Sequence, residues 1–447
     1  MDITLIMITR KFADFIVSLK YDDIPSDVIE KAKLCFMDFL GVSLRGSKEK
    51  SGISALKSIQ PFISHGKATI IGYGCGDPLN ASLVNGIFAH SLDLDDGHRI
   101  AHLHPGASVI PAALALAEKE KVKGKEFLTS IIIGYEICLS LGIMINPHHR
   151  NMGFHSTGTC GTIGAAAASA KILDLNGEET LNCLGLAGTQ AAGLLESDHK
   201  GSMGKHLHAG RAAQSGILSA LLAREGFTGA DTILEGDEGF LNVMSSGYDI
   251  KDGLGHFHIR QVYMKKYPVC RHIHSTLDSA SKILNLLKLK SVDEAMVDEV
   301  IVRTYKVAAE HDNYKPENME FLRQSLPVSL ALFLLNGDLR LEHLKDFKFA
   351  RELAKKIRIE TDRKLDSLYP EKRPSKVILK LKDENLEALT VLPSGEPENP
   401  LTRGNILKKF KMLNSEYDVK KLKILNEMES TPMDELMDEL DLGGNKP

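Results

Sequence analysis

Three aspartates and four histidines fall between His90 and Gly106, in the run HSLDLDDGHRIAHLHPG. That density of titratable groups exceeds what a turn or a helix end needs, and three readings fit it. Asp93, Asp95 and Asp96 with His98, His102 and His104 are carboxylate and imidazole donors of the kind that hold a metal ion, although their spacing matches no specific metal motif. A histidine beside a carboxylate is also the usual pairing for acid and base catalysis near neutral pH. The third reading is structural: the aspartates cap a helix starting near Pro105, and the histidines are solvated.

Two later clusters add to it. In GFHSTGTCGTIGAAAAS the glycines at 158, 161 and 164 are spaced by three, which fits neither GxGxxG nor GxxxxGK(S/T), and no strand is expected before them. They let a helix N-terminus pack closely, and that N-terminus offers N–H groups to an anion with His155 just ahead of it. A buried, hydrogen-bonded histidine is the plain alternative for His155. In GSMGKHLHAGRAAQSG, Lys205, His208 and Arg211 recur at i, i+3 and i+6, so a helix carries at least the first two on adjacent turns of one face. A charged face is commonly just solvated. Here the small, apolar flanks place the cations at the edge of a buried body, where desolvation lowers a lysine toward the catalytic range.

The group KKYPVCRHIH (Lys265 to His274) stands at a proposed domain junction, and Arg271 has the fork that grips a carboxylate. No GxSxG elbow is present, and no serine or cysteine pairs visibly with a base, so covalent catalysis has little support. The expected ligand is a small di- or tricarboxylic acid. The expected chemistry is proton abstraction beside a carboxylate, with cations stabilising the developing charge.

Composition narrows the alternatives. The chain has 447 residues, 43% of them apolar, and 55 Lys plus Arg against 59 Asp plus Glu give a net charge of −4. That balance provides no global field for nucleic acid or an anionic membrane, so neither is an expected partner. The six cysteines lie far apart without a CxxC pair, which argues against zinc ribbons, iron–sulphur clusters and a disulfide framework. The first residues, MDITLIMITRKFADFIVSLKYDD, turn charged and lack a small-residue cleavage site, which predicts an amphipathic helix and not a signal peptide. No apolar run reads as long enough to span a bilayer. A reduced, cytoplasmic protein is the expectation.

The elements that must position these clusters are mostly helical. From residue 10 to about 260 the pattern predicts helices: Ser26 caps DVIEKAKLCFMDFLGVSL, SVIPAALALAEKEKVKG ends at Gly124, and RAAQSGILSALLAREG ends at Gly226. Gly- and Ala-rich faces such as CGTIGAAAASAKILDL let helices approach closely, so the central ones should be fully buried. After Tyr267-Pro268, helices such as HSTLDSASKILNLLK and SLPVSLALFLLNG alternate with β-branched strands, EVIVRTYKV, KKIRIETD, and SKVILKLK turning through DEN into LEALTVL. The tail from Asn399 returns to helix, and only its acidic end, MDELMDELDLGGNKP, is expected to fray. The predicted fold is mostly α: a large all-helical domain (1–264 and 397–447) with a smaller α+β domain (265–396) inserted in it.

Taken in order, these clusters resemble the MmgE/PrpD family, which includes 2-methylcitrate dehydratases, cis-aconitate decarboxylases and iminodisuccinate epimerases. The likeness runs through nearly the whole chain, in ASLVNGIFAHSLDLDDGH, HPGASVIPAALALAE, GFHSTGTCGTIGAAAASAKILDL, GSMGKHLHAGRAAQSGILSALLAREGFTGADTILEG, KKYPVCRHIHS and GEPENPLT. The resemblance implies a helical domain formed by both chain ends, an inserted α+β lid, a homodimer with its active site between the domains, and chemistry without metal or organic cofactor. It also implies that Asp93, His104, His155 and Lys205 line the active site, with Lys265 and, less directly, Arg271, His272 and His274 on the lid side. His104 and Lys205 are expected to transfer protons and Asp93 to orient the histidine, while His155, His208, Lys265 and Arg271 hold substrate carboxylates. This chain has Cys270 where the decarboxylases align a histidine, and Val328 near an aligned tyrosine. These departures count against decarboxylation, and the resemblance, whose commonest named activity is dehydration, implies dehydration of 2-methylcitrate or a similar hydroxy acid, with an epimerase, a decarboxylase and a non-catalytic carboxylate binder as alternatives.

Overall fold

A computed structural model describes residues 7–250, 253–345, 347–382 and 384–443. The chain divides into two compact units, one of Met1–Val262 with Thr402–Pro447 and one of Tyr263–Leu401. The first is built mainly from helices, the second from helices around a small sheet, so the fold is mostly α with a smaller α+β part.

The helices of the first unit that matter for the site are α1 (Ile8–Ser18), α2 (Ser26–Gly46), α3 (Pro78–His90), α4 (Pro105–Glu120), α5 (Gly124–Ile145), α6 (Ser156–Ile172), α7 (Gly177–Gly188) and α8 (Gly204–Arg224). Nearly every residue of α6 is buried, and it packs against α4, α5, α7 and α8. Its Gly- and Ala-rich sequence explains how: small side chains on all faces let four neighbours approach. α3 and α8 meet at a glycine pair, where a Cβ on Gly86 would lie 2.7 Å from Gly210 Cα and one on Gly210 only 2.2 Å from the Leu83 carbonyl oxygen. That contact brings the C-terminal end of α3, ending at His90, to the start of α8, where Lys205, His206 and His208 follow one another.

Several details differ from the sequence expectation. Ser26 is the first helical residue and not the cap, since Pro25 occupies that place and its ring has no donor to satisfy. α4 ends at Lys121 in the left-handed conformation (φ 54°), and Gly124 opens α5 instead. A Cβ there would lie 1.8 Å from the Met428 carbonyl oxygen, so close chain approach, not helix termination, requires the glycine. Gly226 does follow α8 with φ 86°. The body is not purely helical either: β1 (Ala68–Ile70) and β2 (Gly74–Gly76) pair antiparallel. Glu118 accepts from Thr69 N and Oγ1, and the Asn85 side chain bridges Thr69 O and Ile71 N, so helices satisfy the polar groups of a ribbon too short to be read from periodicity.

α5 also departs from expectation, being long and apolar enough to cross a membrane by length and hydropathy. Its most apolar window is 94% buried within the protein, the position of a core helix.

In the second unit β3 (Val297–Thr304) runs parallel to β4 (Ile357–Thr361) and antiparallel to β5 (Ser375–Leu381), which turns back into β6 (Asn385–Thr390). The alternation in SKVILKLK places Val377 and Leu379 in the core beside Val300 and Val302, under α9 (His274–Leu287) and α10 (Leu326–Asn336). The closing helix Arg403–Leu413 packs on α2. The acidic segment forms a further helix, Met433–Leu440, with Met433, Leu436, Met437 and Leu440 buried, so the expected fraying does not extend to it; residues 444–447 lie outside the described residues.

Candidate active site

The turn after α3 distributes its three aspartates to three tasks. Asp93 adopts a left-handed conformation (φ 50°), which an aspartate tolerates better than most residues, and so bends the chain sharply at the helix end. Asp96 is structural: its Oδ1 accepts from Gly106 N at the start of α4 (3.0 Å) and its Oδ2 from the Tyr135 hydroxyl (2.6 Å). Burial raises its pKa to about 6 against the opposing hydrogen bond of Tyr135. The capping role anticipated for the aspartates belongs to this residue.

Asp95 faces two imidazoles. Its Oδ2 lies 2.8 Å from His90 Nδ1 and 3.4 Å from His104 Nδ1. Burial acts to raise the Asp95 carboxyl, but electrostatic attraction and hydrogen bonding from the His90 and His104 rings more than reverse this and hold it well below the usual range. His90, fully buried, is driven the other way: desolvation outweighs Asp95 and lowers its pKa to about 4. The arrangement is thus an ionised carboxylate between two ring nitrogens, with the neutral His90 ring donating its Nδ1 proton to it. His104 Nδ1 also lies 2.6 Å from the Asp96 carbonyl oxygen, which only accepts, so Nδ1 carries a proton and Nε2 is the ring nitrogen that remains for proton exchange. The Thr157 hydroxyl accepts from His104 N and fixes the backbone beside it.

The third aspartate meets the lysine. Lys205 Nζ stands 3.4 Å from Asp93 Oδ1 and 3.3 Å from Asp198 Oδ1. Burial tends to raise Asp198, yet the Lys205 ammonium keeps it below its ordinary value. His155, directly before α6, contacts His208 of α8 through their Nδ1 atoms (2.9 Å) and lies 5.8 Å, ring to ring, from His90. Burial, with smaller electrostatic contributions from His90, Lys205, His208 and His104, pushes His155 well down, and burial lowers His208 as well. These mutual effects mark one electrostatic cluster. Within it the side chains of Lys205 (12% exposed) and His104 (13%) reach solvent, while His90 (0%) does not.

Of the residues singled out from sequence, Asp93, His104, His155, Lys205 and His208 therefore converge within the first unit. The carboxylate beside His104 is Asp95, in the place assigned to Asp93, whose turn points it to Lys205 instead. Arg211 faces outward and bonds Gln214. Asp95, one of the carboxylates considered for metal or acid/base work, joins the cluster, and His90 and Asp198 complete it without having been chosen; His90 lies in the densest titratable run, whereas nothing in the spacing of Asp198 marks it. His90, Asp95 and His104 also each offer a donor atom within 4.8 Å of the others, a set able to hold a metal ion.

In the second unit, Arg271 and His274 of the four sequence candidates contact each other. Arg271 spends its fork internally: Nε and Nη2 both reach Glu396 Oε1 (3.0 Å each), and Nη1 reaches Ser394 O and His274 Nδ1. That makes it a strut of its own unit. His274 is bound at both nitrogens, the other to Val269 O. Lys265 is buried, and His272 is half-buried with Nδ1 on the Tyr305 hydroxyl.

Comparison with known proteins gives this arrangement its context. A cis-aconitate decarboxylase-like protein of Aspergillus oryzae is 34% identical over 250 residues, 54% of this chain and 52% of that protein, so the chain spans about half the length of that relative. Cis-aconitate decarboxylase of Aspergillus terreus is 28% identical over 73% of this chain and 71% of its own. The mitochondrial 2-methylcitrate dehydratase of Yarrowia lipolytica is 24% identical over 67% and 61% respectively. The MmgE/PrpD N-terminal domain pattern matches residues 10–252 and the C-terminal domain pattern residues 267–430, and on this coverage the chain belongs to the MmgE/PrpD family.

Proposed function

We propose that the protein is a lyase acting on a tricarboxylic acid without a cofactor, and that its reaction is dehydration of 2-methylcitrate or a similar hydroxy acid. The observation that carries this reading is the meeting of neutral imidazoles with an ammonium in one largely water-excluded cluster. β-Elimination of water needs a base for the carbon-bound proton and an acid for the departing hydroxide. His104 Nε2 takes the proton beside a carboxylate, Asp95 stabilises the imidazolium that forms, and electron density collects on that carboxylate as an enediolate. The C–O bond then breaks, the alkene forms, and Lys205, held between Asp93 and Asp198, donates the proton that turns hydroxide into water. His155 and His208 are neutral and share one Nδ1–H between them, so the ring that accepts it keeps an Nε2–H to offer a substrate carboxylate at little electrostatic cost.

The names of the relatives support a lyase of tricarboxylic acids and favour a second reading, decarboxylation of cis-aconitate, in which Lys205 would protonate the carbon that loses carbon dioxide. Proton NMR in D2O with 2-methylcitrate, citrate, cis-aconitate and iminodisuccinate separates the cases. Formation of the alkene with loss of the C–H proton signal beside the reacting carboxylate is expected. Carbon dioxide release from cis-aconitate would replace dehydration by decarboxylation, and deuterium uptake with inversion alone would replace the lyase by an epimerase.

A further inference from the structure

We propose that Cys270, His272 and His311 form a binding site for a borderline-soft divalent cation of the Zn2+ class. All three lie in the second unit, half-buried, and each offers a donor atom within 4.8 Å of the others. One thiolate and two imidazoles are donors that suit such an ion and not Mg2+ or Ca2+.

The geometry is already close to a coordination shell. Cys270 Sγ is 3.7 Å from His311 Nε2. The edge of a tetrahedron between a sulfur and a nitrogen ligand of zinc is about 3.6 Å, from bond lengths near 2.3 and 2.1 Å. His311 Nδ1 donates to the Gln324 carbonyl oxygen (3.0 Å), so its Nε2 turns a lone pair toward the thiol. His272 is held through Nδ1 by the Tyr305 hydroxyl (2.5 Å), and its ring stacks on that of His311 with centroids 5.4 Å apart. Tyr305 is fully buried and stacked on Tyr369, and Cys270 N donates to Arg323 O, so the outer partners are themselves fixed. Metal-binding histidines are oriented by such second contacts. Three protein ligands at partial exposure leave a fourth position for water or a small anion. Binding replaces the Cys270 S–H bond by a metal–sulfur bond and releases one proton to solvent, with no redox change.

All of the site's donors lie in the second unit, and its test reads metal binding and not turnover. It differs chemically from the His90, Asp95 and His104 set of the first unit, which has no sulfur. Titration of the full chain with Co2+ under reducing conditions tests it. The expected result is a thiolate-to-cobalt charge-transfer band in the near ultraviolet, displaced by Zn2+ and lost in Cys270→Ser. Tyr305→Phe, which keeps the buried ring but removes the hydroxyl behind His272, should weaken Co2+ binding about ten- to a hundredfold. Thermal unfolding of the metal-free variants controls for folding, and Tyr305→Phe alone suffices if Cys270→Ser proves unstable. Co2+ binding without the band, a band that survives Cys270→Ser, or Tyr305→Phe binding as tightly as the parent would overturn the proposal.

Discussion

His90 shows how burial decides a charge state at the level of one residue. Its Nδ1 faces an ionised Asp95, which favours the imidazolium, yet complete burial costs more and lowers the pKa from 6.5 to about 4. In the unfolded chain the ring titrates near its ordinary value. Between those two values the unfolded state therefore binds a proton that the native state refuses, and native stability falls as the pH drops from 6.5 toward 4. The expected loss is about 3 kcal/mol at 1.36 kcal/mol per pKa unit. His90→Asn retains a donor for Asp95 and should flatten that stretch of the curve when urea unfolding is followed at several pH values; an unchanged slope would assign the acid sensitivity elsewhere. The composition of the site was legible in the run from His90 to His104, because so many titratable groups in one short stretch have few structural uses. The division of labour among its aspartates was not, since it depends on the left-handed turn at Asp93.

At the scale of elements, the glycine contact between α3 and α8 sets the separation of the histidine and lysine sides of the site. Gly210→Ala would press a methyl group into the Leu83 carbonyl. It should cost about 1–3 kcal/mol in thermal or urea unfolding and lower kcat by moving Lys205 away from His104. Full activity in that variant would mean the helices hold their spacing by other contacts. The β1 ribbon gives a second test. Burial raises Glu118 from 4.5 to about 8 despite its hydrogen bonds from Thr69, so its contribution to stability is complete below 4.5 and is lost as the pH climbs through 8. Glu118→Gln should leave stability near pH 5 little changed and raise the unfolding temperature at pH 8.5, and equal melting of the two proteins at both pH values would contradict the shift. Helix periodicity, the hairpin of β5 and β6 and the buried small-residue helix α6 could be read from sequence because side-chain size and alternation act locally. The helix start at Pro25, the end at Lys121 and the ribbon could not, because chain approaches from distant residues such as Met428 and Glu118 decide them.

For the molecule as a whole, the closing segment is tied to the first helices by a buried ion pair. Lys409 Nζ reaches both carboxylate oxygens of Asp38, at 2.7 and 3.0 Å, and the Leu94 carbonyl oxygen at 2.9 Å, so one ammonium joins the helix Arg403–Leu413 to α2 and to the turn that carries Asp93 and Asp95. Burial raises the Asp38 carboxyl, and Lys409 opposes this. Lys409→Met leaves that carboxylate buried without its partner and should destabilise the protein by about 3–5 kcal/mol in urea unfolding. Adding Asp38→Asn should recover part of the loss, whereas additive losses would show that the pair does not act as a unit. The catalytic assignment is tested most directly by kcat/KM of His104→Gln and Lys205→Met on the tricarboxylate that wild type converts, with circular dichroism and thermal unfolding confirming the fold. A fall of about 10²- to 10⁴-fold in each variant is the expected result for groups that move protons in the transition state. Activity within about tenfold of wild type in either folded variant would place the proton transfer on other residues.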